Sequence, residues 1–124
     1  MKRPRRTGAD QGSAAVEFAL VLPVLLLILF GIIDFGRMMN ARIVISQAAH
    51  EGARAVAIGA DPATVSQVVG RALGSVGADF TVVQDCAADP DGDAEVEVTY
   101  AFSYVTPLLG DGLTLTSTAV VRCQ

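Results

Sequence analysis

Residues 18–33 read FALVLPVLLLILFGII, sixteen positions with no charge and no side chain more polar than Pro or Gly. As a helix, such a run covers roughly 24 Å, a little short of the hydrocarbon core of about 30 Å in a bilayer. It can be extended on both sides. Ser13, Ala14, Ala15 and Val16 precede it with Glu17 as the one charge, and Asp34, Phe35 and Gly36 follow. A membrane helix over residues 13–36, with an acid near each edge, is the expectation from which the rest of the chain is read.

The rest is short. The chain has 124 residues, enough for one small domain beside such a helix. Apolar types make up 52% and charged types 18%, with a mean hydropathy of +0.48, which excludes a disordered chain. Charge is unevenly placed. Within residues 1–12, Lys2, Arg3, Arg5 and Arg6 oppose only Asp10, whereas two Arg (Arg71 and Arg122) face nine acids from Ala60 onward. The cationic head predicts a cytoplasmic amino terminus and a body on the other side of the membrane. The acidic body argues against a nucleic-acid partner, which would need a cationic footprint.

Two other readings of the apolar run are weaker. A cleaved secretory signal requires small residues at −1 and −3 soon after the run, and residues 34–41, DFGRMMNA, contain no A-x-A pattern. A core helix apolar on every face would need a larger protein around it.

At the cytoplasmic edge the chain reads Gly12-Ser13-Ala14-Ala15-Val16-Glu17-Phe18. Gly12 carries no side chain at the membrane face. Glu17 lies about one helical turn beyond Ser13, and an unpaired charge at the hydrocarbon edge is costly. An amine at similar depth is its natural partner. The alternatives are that Glu17 snorkels to the interface or is protonated.

This basic leader, Gly, Glu and aromatic ahead of a membrane run resemble the prepilin peptidase site of the type IV pilin superfamily, in the form used by Tad (Flp) pilins. The resemblance implies a scissile bond between Gly12 and Ser13, a cleaved leader over 1–12, and an assembly role for Glu17 and Phe18. Cleavage would free the Ser13 amine to pair with Glu17 of a neighbouring subunit. The stretches AVEFALVLPVLLLILFGIIDFGRMMN (15–40), SQAAHEGARAVAIG (46–59) and VTPLLGDGLTLTSTAVVRC (105–123) resemble the TadE-like minor pseudopilins. Major Flp pilins are little more than leader and helix, so the additional residues favour the pseudopilin.

Beyond the membrane the helix is expected to continue over 37–59. Ile45, Ala48, Ala49, Gly52, Ala53 and Val56 form a stripe of mostly small residues, suited either to a neighbouring subunit or to the chain's own head. His50 beside it reads as a surface histidine. The head occupies 60–124. Asp61 caps a second helix with Pro62 at its first position, and Val65, Val68, Val69, Ala72, Leu73 and Val76 make its apolar face. Three strands follow. Phe80, Val82, Gln84 and Cys86 share one face. Val96, Val98, Tyr100, Phe102 and Tyr104 alternate with polar neighbours. Leu113, Leu115, Ser117, Ala119, Val121 and Cys123 share the third face. The fold expected is α+β: a long amino-terminal helix, a second amphipathic helix and a small antiparallel three-stranded sheet.

Cys86 and Cys123 fall on apolar faces outside the membrane, where a disulfide would persist; two buried thiols are the alternative. Asp89, Asp91, Asp93 and Glu95 alternate and are weak calcium candidates, but Pro90-Asp91-Gly92 also suffices as a turn. No nucleophile elbow, phosphate loop or zinc motif is present, so neither catalysis nor a cofactor is expected. The resemblance implies a prepilin peptidase, other pilins or pseudopilins, the Tad assembly platform and membrane lipid as partners. A permanently anchored binding or adhesion module, never cut at Gly12, is the competing class.

Overall fold

The computed structural model describes residues 9–124. One helix, α1 (Ala9–Ala57), runs through 49 of them, about 73 Å of axis. It is long and apolar enough to cross a membrane: its most apolar 18-residue window has a mean hydropathy of 2.8, and none of that window is buried in the protein. Pro23 lies within it. Pro removes one backbone hydrogen bond, a loss that membrane helices tolerate where neighbouring groups compensate. The helix starts upstream of Gly12, earlier than the 13–36 span read from hydropathy. Most of the expected leader, residues 1–8, lies outside the described residues.

The two ends of α1 behave differently. From Ala41 onward one face is buried, with Ile45, Ala48, Ala49, Gly52, Ala53 and Val56 all inside. The stripe is covered by the chain's own α2 (Pro62–Leu73) and sheet, so of the two readings left open by the sequence the structure shows packing on the chain's own head. α1 closes in a Schellman arrangement. Gly59, at φ 74°, donates to the Val56 carbonyl and Ala60 donates to the Ala55 carbonyl.

α2 begins as its local chemistry dictates. Asp61 accepts from the Thr64 amide at 3.1 Å and from the Thr64 hydroxyl at 2.6 Å, Pro62 opens the helix, and Gly74 caps the other end. Val65, Val69 and Leu73 are buried, with Val68, Ala72 and Val76 packed beside them.

The sheet is an antiparallel meander of β1 (Asp79–Gln84), β2 (Asp93–Phe102) and β3 (Leu113–Arg122), with β2 central. β2 returns alongside α1. Its first residues lie near the end of that helix and its last, Phe102, beside Arg37. Ala94, Val96, Val98 and Phe102 on β2, and Leu115 and Ala119 on β3, face the helices. The period-2 expectation for both strands therefore holds. It holds poorly for β1, an edge strand with an irregularity between Val82 and Gln84, where Phe80 alone is half-buried and Val82 stands exposed. Cys86 and Cys123 are joined, with Cα atoms 5.8 Å apart, and Cys123 and Gln124 tie back to Gly92 and Ala57 through their amides.

Candidate functional site

Two regions of α1 are the candidates for a functional site: the amino-terminal edge of the apolar run, and the point where the run meets the head. At the first, Gly12, Ser13, Glu17 and Phe18 are exposed on the helix surface. A Cβ built on Gly12 would meet nothing within 4 Å. From Val16 to Ile33 the large side chains remain open all round the helix, with Leu20 and Ile32 the most open. That surface is one to be solvated by lipid or covered by other helices, since contiguous apolar exposure on this scale marks an interaction surface.

At the other edge stands a constellation that reading the sequence did not assemble. Asp34, taken from the sequence as an edge acid, is only 2% exposed. One carboxylate oxygen accepts from the Val105 amide at 2.8 Å, and the other accepts from the Thr106 amide at 3.1 Å. Arg37, one turn on, reaches Asp34 at 3.3 Å and also donates to the Ser103 carbonyl at 3.3 Å. Its guanidinium carbon lies 5.2 Å from the centre of the Phe102 ring, within cation–π range. Tyr100 and Tyr104 meet Phe102 edge-on, with centroids 6.4 and 5.5 Å away. The end of β2 and the loop after it are thus clasped to α1 where the apolar run ends. A buried carboxylate must be paired or hydrogen-bonded, and here two consecutive amides and a guanidinium supply that. The available signal was an isolated acid closing an uninterrupted apolar run. What it bonds to lies 71 residues away and has no local pattern.

The other candidates come out variously. His50 is a surface residue whose Nδ1 is 2.8 Å from the Ser46 carbonyl oxygen of the preceding turn. Asp89, Asp91, Asp93 and Glu95 do not converge: among the described residues no three carboxylate, His or Cys groups are placed to hold a metal ion. Their segment is a turn, in which Gly92 donates to the Asp89 carbonyl and leaves no room for a Cβ beside the Asp89 side chain.

Residues 12–54 match the family described as TadE-like protein. The match starts at Gly12, runs through the apolar stretch and ends in the buried part of α1. The resemblance drawn from residues 105–123 lies outside it. No curated protein and no solved structure matches the chain.

Proposed function

We propose, on the premise that residues 12–54 are a TadE-like segment, that this chain is a minor pseudopilin, an assembly subunit of a Tad-type pilus. In this reading a prepilin peptidase cuts between Gly12 and Ser13 with the amino terminus in the cytoplasm. The membrane stores α1, and the helix then packs with other pilins or pseudopilins on the Tad assembly platform. The head faces away from the cytoplasm. The chain supplies no catalytic step, needs no cofactor and binds no nucleic acid; the chemistry belongs to the peptidase and the assembly machine.

The observation that carries this reading is the division of one continuous helix within the family segment. Up to Ile33 its apolar side chains are open all round, and from Ala41 one face is buried under the head. Such a helix can change surroundings over its apolar run, from lipid to a bundle, while the core of the head stays intact. An anchor that is never extracted would show the same division, so processing is the deciding property.

The test is the mass of the mature amino terminus in cells with the matching peptidase. Wild type is expected to begin at Ser13, and Gly12→Val to retain residues 1–12. An intact Met1 in the wild type would instead identify an uncleaved, membrane-anchored binding or adhesion module.

A further inference from the structure

The loop between β2 and β3 continues the apolar belt of α1. Its short 3-10 turn (Pro107–Leu109) lies beside the carboxyl-terminal half of the apolar run. Val105, Thr106 and Leu108 share a cleft of about 400 Å³ with Pro23, Leu26, Leu27 and Phe30 of α1. Leu27 lies two helical turns before Asp34, or about 10 Å along the axis. Leu109 adjoins Gly31, Asp34, Phe35 and Met38. Yet Val105, Leu108 and Leu109 remain 52%, 75% and 56% exposed.

We propose that this loop is inserted with α1 into the lipid leaflet on the head's side, its Val105, Leu108 and Leu109 side chains among the acyl chains. The inference rests on the reading that α1 spans a bilayer. If it does, residues 23–30 lie within the hydrocarbon, and a loop that lines the same cleft lies at that depth too. Three features fit that depth. Residues 103–110, SYVTPLLG, carry no charge. Backbone amides in hydrocarbon are best satisfied from within the protein, and three of the four between Val105 and Leu109 are: Val105 and Thr106 donate to Asp34 and Leu109 donates to the Thr106 carbonyl, while Pro107 has no N–H and Leu108 is the exception. At the rim stand Arg37 and Tyr104, residue types whose apolar bodies and polar tips suit the interface. Asp34 thereby acquires a purpose, holding a re-entrant loop whose amides would otherwise face lipid.

The chain has no Trp, so Leu108→Trp introduces a single fluorophore at an exposed position. The full-length variant is reconstituted into phosphatidylcholine vesicles with or without acyl-chain nitroxide lipids. Blue-shifted emission is expected, lost with the nitroxide lipid and resistant to aqueous iodide. Leu109→Trp repeats the measurement at a second exposed site. Leu25→Trp, in the apolar run, reports whether α1 is embedded, and Val83→Trp, on β1, gives the aqueous limit. Iodide quenching of Leu108→Trp and Leu109→Trp like that of Val83→Trp would overturn the proposal. Protection from both quenchers would also overturn it and would mean that protein, such as a second copy, covers the loop. Failure of the nitroxide to quench Leu25→Trp would instead reject the spanning helix itself.

Discussion

Asp34 shows how one side chain can set the relation between a head and its helix. Both of its oxygens are engaged by the amides of Val105 and Thr106, and Arg37 binds the same carboxylate and the end of β2. Asp34→Ala removes every acceptor at once. Amide exchange at Val105 and Thr106 is expected to accelerate, with β2 and β3 still protected; Asp34→Asn, which keeps one carbonyl oxygen, should fall between. Hydrogen exchange of the chain in detergent micelles reads this directly, and unchanged protection of those two amides would remove the clasp's role. Asp61 acts more locally. The Thr64 hydroxyl and then the Thr64 amide hold its carboxyl below the ordinary value. Because the folded-state pKa is the lower one, the carboxylate's contribution is present at neutral pH and is lost as pH falls below about 4, through the folded value. Asp61→Ala should therefore unfold at a lower temperature than wild type at neutral pH, with the gap closing in acid. A gap that persists there would show that the carboxylate's charge is not what caps α2.

The packing of elements turns on Gly52. A Cβ there would come within 2.7 Å of a Val69 methyl on α2 and 3.2 Å of a Val96 methyl on β2, and both valines are fully buried. Gly52→Val should therefore destabilise the chain by about 3 kcal/mol through overpacking. Gly70, on α2, has nothing within 4 Å of its Cβ position, so Gly70→Ala should be neutral or stabilise by up to about 1 kcal/mol. Urea midpoints of the two variants are expected to move in opposite directions or, at the least, only one of them to fall. The same contrast explains what was legible in the sequence. α2 was readable because its cap, its Pro and its 3.6-residue period are all local. β2 and β3 were readable because a sheet covered on one face imposes alternation. The stripe on α1 announced that something would approach closely, but its small side chains do not encode whether that is α2 or another molecule. β1, an edge strand with a broken register, lacked the burial that makes alternation strict. The Asp34 clasp depends on amides, which every residue but Pro carries, so no side-chain pattern could mark its partners.

For the whole molecule, the burial of the small-residue stripe narrows how copies or partners can meet. One face of α1 beyond Ala41 is occupied by the head, and under the proposed function the exposed run from Val16 to Ile33 is the widest surface α1 offers to other helices. Glu17 is the carboxylate at the start of that run. In lipid it lies near the interface, within reach of water. If the helix enters a bundle, as proposed, Glu17 requires a partner, and the Ser13 amine that cleavage would free on a neighbouring subunit would lie at a matching depth. Breaking a buried pair by removing one charge typically costs about 3–5 kcal/mol, which corresponds to at least about a hundredfold loss of association. Glu17→Gln keeps the side chain's shape and removes its charge. It lies beyond the proposed scissile bond, so processing and membrane insertion should survive. The processed variant should nevertheless be recovered with partner pilins far less efficiently than wild type, and piliation should fall with it. Pull-down of the processed protein separates the two steps, because its amino terminus and its association are read on the same sample. Undiminished association with normal piliation would leave Glu17 as an interfacial acid, and the pairing between subunits would be withdrawn while the cleavage at Gly12 stood.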